Sequence, residues 1–150
     1  MPFILNCEPF DHDDMANLGA IAIDAMAHMN LLFFNRFPQM AMPARAAGIQ
    51  YDPPSMQYRT MNHSLCQAPI LLQRGVGKCD SITAWDIAWR RLNGEDAFCG
   101  IKPQGDGLFH VVTFIRTNGR ISEFDCSKTL ERFTGSPSCN LNATDKYCEC

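Results

Sequence analysis

Asn118-Gly119, set between the apolar run Phe109–Ile115 and the returning segment Ile121–Asp125, is the feature that most restricts this chain. Two such residues between strand-like runs specify a tight two-residue hairpin, because both turn positions need positive φ. If Asn118 and Gly119 form the loop, Thr117 faces Arg120 and Val112 faces Asp125. His110, two residues before Val112, then points to the same face as Asp125. The two are diagonal neighbours, about 7–8 Å apart at the backbone, and an imidazole and a carboxylate can close that gap. A slip of one residue would put them on opposite faces.

The other elements read less uniformly. Leu18, Ile21, Ala22, Ala25, Met26, Met29, Leu32 and Phe33 recur at helical spacing, with Ile23, Leu31 and Phe34 broadening the face. Asp13 or Asp14 is placed to cap this helix, and Pro38 stops it. Residues 38–64 are rich in Pro, Met and Gln, with a short strand expected over Gly48–Tyr51. A short helix is expected around Pro69–Leu72. Cys79–Leu92 reads as a helix with Ile82, Trp85, Trp89 and Leu92 on one face and Asn93-Gly94 as its stop. Ala97–Ile101 reads as a strand, Pro103–Gly107 as a loop, and 134–150 as a loop-like tail. His28 is read as helix surface and His63 as loop. The expectation is a single α+β domain over 1–150. It has a helical N-terminal part (1–74), a core (75–133) and a cysteine-bearing tail (134–150).

Composition narrows the function classes. With 150 residues, 46% hydrophobic and 19% charged, the chain is long and apolar enough for a real core. A net charge of −3 provides no basic footprint for nucleic acid. No uninterrupted apolar run approaches the roughly 18 residues of a membrane span, so no membrane partner is expected. The N-terminal residues lack the pattern of a signal peptide, so the expected location is cytoplasmic. Disulfides are then not the default for the eight cysteines, although a small framework in the last quarter stays open.

Cys79 follows Gly75-Val76-Gly77-Lys78 and opens a helix, His110 opens a strand, and Asp125 lies on the return strand. Each sits in the local setting that a cysteine nucleophile, its base and its orienter would need, and cysteine acyl-transfer enzymes use this order. A thiol has a free pKa of about 8.5, and a helix N-terminus lowers it. Lys78 adds positive charge nearby, whereas Asp80 opposes it unless turned away to cap the helix. His110 would take the proton and return it to the leaving group. Asp125 would hold the imidazole tautomer. The Cys79 backbone N–H would serve a developing oxyanion, with Gln73, read as a loop residue, the candidate second donor. Each residue alone has a plainer reading: a buried inert thiol, a core histidine, the end of a strand. Trp85 and Trp89 read as core rather than as a substrate platform.

The stretch Gly75-Val76-Gly77-Lys78-Cys79-Asp80-Ser81-Ile82-Thr83-Ala84-Trp85 resembles the transglutaminase-like cysteine peptidase superfamily, and is similar to its short members in bacteriophage and prophage genomes. Arg90-Arg91-Leu92-Asn93-Gly94 matches the end of their nucleophile helix, and His110-Val111-Val112 their histidine strand. Asp125, with Ser127 just beyond, matches their aspartate after an Asn-Gly turn. Tyr51-Asp52-Pro53-Pro54 resembles their proline-containing entry segment. The resemblance covers roughly residues 48–133. It implies a papain-like α+β fold in which the cysteine-bearing helix packs on an antiparallel sheet carrying histidine and aspartate. It also implies a Cys79–His110–Asp125 triad, no cofactor, and a protein or peptide substrate, with virion proteins as candidate partners and a phage or virion setting. Ser81 stands where a second acidic residue is frequent, and Cys126 where proline is common.

The expected chemistry is acyl transfer through a Cys79 thioester, with hydrolysis of a peptide or isopeptide bond favoured over cross-linking. The rival readings are a cross-linking transglutaminase and a non-catalytic structural virion protein with the same fold. Metal binding by Cys126, Cys139, Cys148 and Cys150 is a third alternative, but no pair has the Cys-x-x-Cys spacing of a convincing zinc site, and no metal is expected.

Overall fold

The computed structural model describes residues 3–6, 12–53, 62–105 and 108–134. Its longest element is helix α1, His12–Arg36. Around it come β1 (Phe3–Asn6), β2 (Gln50–Tyr51), β3 (Asn62–Leu65), α2 (Ala68–Arg74), β4 (Val76–Gly77) and α3 (Cys79–Leu92). The chain closes with β5 (Asp96–Gly105), β6 (Leu108–Thr117), β7 (Arg120–Phe124) and a one-turn 3-10 helix, Cys126–Thr129. The class is α+β. Three antiparallel strands run in the order β5-β6-β7, and two small ribbons pair β1 with β3 and β2 with β4.

The hairpin forms as its sequence demands. Asn118 and Gly119 have φ of 52° and 75°, the double positive φ of a turn whose twist suits flanking strands. Thr117 pairs with Arg120 and the register holds to Thr113 opposite Phe124. The chain leaves the sheet at Asp125, one residue before the 3-10 helix. On the other side, β5 extends to Gly105 through an irregular register at Pro103–Gly105. The segment read as a loop from Pro103 is therefore strand as far as Gly105, because its partner β6 supplies the hydrogen bonds.

Helix α3 is the centre of the core. Every residue from Asp80 to Ala88 is buried. Ile82, Trp85 and Ala88 pack with Phe34, Leu71, Cys126 and Leu130. Ala84 and Ile87 meet Ile23, Met26, Ala27, Ala97, Cys99 and Val111. A single apolar stripe was expected, but α3 is covered by α1 and α2 on one flank and the sheet on another. Leu92, expected in that stripe, is exposed. Trp85 meets Phe34 edge-on, centroids 4.9 Å apart, and donates its indole N–H to the Met42 carbonyl at 2.8 Å. That contact is of the kind that gives a buried indole both its apolar area and a partner for its polar end.

Polar ties fix α3 to the sheet. Thr83 donates to the Val111 carbonyl at 3.2 Å, and Thr113 donates to Asp86 at 2.7 Å. Arg90 donates to Asp86 and Glu95, both at 2.8 Å, and its guanidinium lies 4.4 Å from the Phe124 ring centroid. The end of β7 is thereby held against α3. A further polar tie joins α1 to α2. Asn30, buried on α1, accepts the Ala68 N–H at 2.8 Å, which supplies a first-turn partner that the α2 N-cap residue, Gln67, does not provide through its side chain.

Other readings of the sequence differ from the structure. The α1 face that packs inward is Ala22, Ile23, Met26, Ala27, Asn30 and Phe34, whereas Ile21, Ala25, Met29 and Leu32 face outward. The helix is apolar on more than one side, so periodicity alone did not identify the inner one. Its Ala16–Arg36 stretch is also long and apolar enough to cross a membrane. Averaging over Asp24, His28 and Asn30 reveals this, whereas a search for uninterrupted runs does not. Strands β1 and β3 had no sequence counterpart, and His63 belongs to β3 rather than a loop. Cys66 is buried and disulfide-bonded, whereas Cys79, Cys99 and Cys126 are free thiols. Cys139, Cys148 and Cys150 lie outside the described residues.

Candidate active site

Two glycines shape the entry to Cys79. Gly75 ends α2 at φ 69° and donates its N–H to the Leu71 carbonyl at 2.8 Å. Only glycine enters that left-handed cap without strain. Gly77 has ordinary dihedrals but no room: a Cβ there would lie 2.7 Å from Leu71 and 3.2 Å from Ile82. The chain therefore passes flat against the core and delivers Cys79 as the first residue of α3.

His110 and Asp125 meet as parity requires. The imidazole Nε2 lies 2.6 Å from Asp125 Oδ2, with both side chains largely buried, at 14% and 9% exposure. The second carboxylate oxygen accepts the Ser127 hydroxyl at 2.6 Å, and exposed Lys128 approaches Oδ2 at 3.4 Å. Burial alone would push the Asp125 carboxyl up. Hydrogen bonds from Ser127 and His110 outweigh it and hold the group below its ordinary value. Asp125 is thus a fixed anion with each oxygen engaged.

Cys79 is linked to this pair through the strand. The backbone N–H of Val111, next in sequence to His110, favours the ionised form of the thiol, as does that of Asp80; among the described residues no hydrogen bond joins Cys79 to His110. Those two donors do not prevail. Burial, followed by the Asp80 charge, pushes the Cys79 thiol up to about 12. The expected lowering by the helix N-terminus and Lys78 is reversed, first because the thiol is desolvated and then because Asp80 lies beside it. The Asp80 carboxylate accepts the Ser81 N–H at 2.6 Å and the Ser81 hydroxyl at 3.2 Å, and so stays inside the first turn. Cys99 and Cys126 are also pushed up to about 12, chiefly by burial. Acidity therefore does not single out Cys79; its position beside the histidine strand does.

Gln73 lies on α2 rather than on a loop, and it is solvent-exposed. Ala68 and Leu71 take the buried face of that short helix, which turns Gln73 outward. Among the described residues no hydrogen bond links it to Cys79, His110 or Asp125. Cys126, weighed as a metal ligand, is a core thiol packed with Ile82 and Trp85.

Sequence reasoning missed Tyr51. Its N–H donates to the Glu131 carbonyl and its carbonyl accepts the Phe133 N–H, both at 2.8 Å. On the other side Gln50 and Asp52 donate to the carbonyls of Gly75 and Gly77 at 2.8 and 2.9 Å. Tyr51 thus sits in a parallel ribbon between the strand leading to Cys79 and the segment that follows Asp125. Its half-buried phenol is pushed up to about 12, first by burial, then by the charges of Cys79 and Asp125. The available signals were the short strand expected over Gly48–Tyr51 and the resemblance of Tyr51-Asp52-Pro53-Pro54 to an entry segment, but nothing local says where such a strand pairs. The chain as a whole matches no protein-family model, no curated protein and no solved structure.

Proposed function

We propose that the chain is a cysteine-nucleophile acyl-transfer enzyme with a papain-like, transglutaminase-like arrangement, in which Cys79, His110 and Asp125 act together. The observation that carries this reading is the 2.6 Å His110–Asp125 pair, with Cys79 packed against the cluster that contains Val111, the next residue of the histidine strand. A histidine held by a buried carboxylate is oriented for proton transfer. The thiol is neutral in the resting site, so its proton passes to His110 as sulfur attacks the acyl carbon. His110 then protonates the departing amine as the C–N bond breaks, leaving a Cys79 thioester. Water, deprotonated by His110, attacks the thioester carbonyl, and the Cys79 thiol is regenerated. The preferred substrate is a protein or peptide, cleaved at a peptide or isopeptide bond. An amine in place of water would make the same site a cross-linking transglutaminase. The phage or virion setting follows from the resemblance. The Cys66 disulfide favours an oxidising environment over the cytoplasm.

The rival reading, a structural protein that keeps the fold without turnover, is favoured by one observation. The half-buried Cys79 thiol is pushed up to about 12, as are the buried core thiols of Cys99 and Cys126. An activated ester such as p-nitrophenyl acetate separates the two. Peptide mapping after brief exposure is expected to find the acyl group on Cys79 in the wild type and not in His110→Ala. Equal or absent acylation of Cys79 in both would favour the structural protein.

A further inference from the structure

We infer that Arg90 is a positioning residue: paired with Asp86 on α3, it grips Phe124, the residue before Asp125, and so sets where β7 delivers the carboxylate to His110. This deepens the acyl-transfer reading and rests on it.

The need for such a residue follows from the strand register. Thr113 opposite Phe124 is the last step of the β6–β7 ladder. Asp125 lies beyond it, and His110 lies three residues before Thr113. Ser127 orients the Asp125 carboxylate, but no ladder hydrogen bond sets where the Asp125 backbone lies. Asp86 and Arg90 act on both members of that last step. Asp86 Oδ2 accepts the Thr113 hydroxyl at 2.7 Å on β6 and the Arg90 Nε–H at 2.8 Å. Arg90 carries the connection to β7, with its guanidinium 4.4 Å from the Phe124 ring centroid. The same guanidinium donates to Glu95 at 2.8 Å, so its plane is fixed from two directions. The pair is withdrawn from water, with the Arg90 and Asp86 side chains 12% and 5% exposed. Its attraction and the cation–ring contact are therefore weakly screened. The residue after Asp125 is held by the same helix, because Cys126 packs with Ile82 and Trp85. Helix α3 thus opens with Cys79 and further along holds both chain neighbours of the aspartate. Arg91 provides the contrast. It is tied as well, to Asp24 at 3.1 Å and to the Ala97 carbonyl at 2.8 Å, but these contacts lead to α1 and β5 rather than to β7.

The test is the downfield proton resonance of the His110 ring N–H donated to Asp125, followed by NMR in the intact chain, together with the rate at which p-nitrophenyl acetate acylates Cys79. Asp86→Asn/Arg90→Met removes the clamp without leaving a lone buried charge. It should move the resonance or broaden it away and slow acylation by roughly 10–100-fold, the scale of a small misplacement of a catalytic group. Arg91→Met removes a tie of similar strength and should change neither. Phe124→Leu keeps the ion pair but removes the ring, and should move the resonance as the clamp variant does; it serves alone if the double variant does not fold. A resonance unchanged by either, or moved as far by Arg91→Met, would overturn the inference while leaving the triad standing. Absence of the resonance in the wild type would instead sink the His110–Asp125 pair, and the proposed function with it.

Discussion

His110 and Asp125 close to 2.6 Å although the strand pairing ends one step earlier, at Thr113 opposite Phe124. The aspartate has left the sheet and is held by Ser127 instead. Replacing Asp125 with Asn keeps the size but puts a neutral amide against the imidazole. Acylation of Cys79 by an activated ester is expected to fall by roughly 10²–10⁴-fold, by analogy with removal of the orienting carboxylate in other nucleophile–histidine sites. Stopped-flow release of the leaving group measures it.

Asp125 also links stability to pH. Its folded value lies below the ordinary 3.8, so the unfolded chain binds its proton more readily. The stabilisation is complete above that ordinary value and is lost as pH falls through the lower folded one. Urea denaturation of wild type and Asp125→Asn from about pH 6 to about pH 2 should show the gap between them narrowing only in the acid range.

Asp80 is the nearest cause, after burial, of the raised Cys79 thiol. Asp80→Asn removes that charge and keeps an oxygen to accept from Ser81. The thiol value should drop, and each unit of drop means about ten times more thiolate at a given pH. Iodoacetamide labelling of Cys79 at neutral pH should therefore accelerate by roughly 3–10-fold, with Cys126, whose thiol Asp80 does not influence, serving as the internal reference by peptide mapping.

Gly77 has no left-handed requirement, only a lack of space. A methyl there would lie 2.7 Å from Leu71, which is fully buried, and 3.2 Å from Ile82. Gly77→Ala is expected to cost about 1–3 kcal/mol as overpacking, read from the shift in denaturation midpoint. It should also slow Cys79 acylation, because the strain falls on the two residues leading into α3. Unchanged stability would mean that Leu71 repacks freely.

What could be read from sequence were the features whose cause is local. The Asn118-Gly119 turn sets its own backbone angles, and strand parity then brought His110 and Asp125 together without knowledge of the rest of the chain. Helix α3 began and ended at the expected residues because Gly77, Asn93 and Gly94 punctuate it. What could not be read depended on distant partners. β1 has no meaning until it pairs with β3, and Tyr51 none until Gly77 and Glu131 flank it. The inward face of α1 was drawn too wide because Ile21, Met29 and Leu32, which are exposed, are as apolar as the buried Ile23 and Met26. The Cys79 acidity was misread for a similar reason: the helix terminus and Lys78 are visible in sequence, whereas the desolvation of the thiol and the closeness of the Asp80 charge are not.

The parallel ribbon around Tyr51 also affects when the site comes into being. Its three segments are far apart along the chain, and parallel pairing of distant segments forms only after the intervening loops have closed, a slow and entropically costly event. The α3 helix and the Asn118-Gly119 hairpin can each arise early from local contacts, but neither alone brings the thiol, imidazole and carboxylate into one place. An emerging or half-folded chain would therefore carry the chemical groups without the reactivity, which would appear only with the last stage of folding.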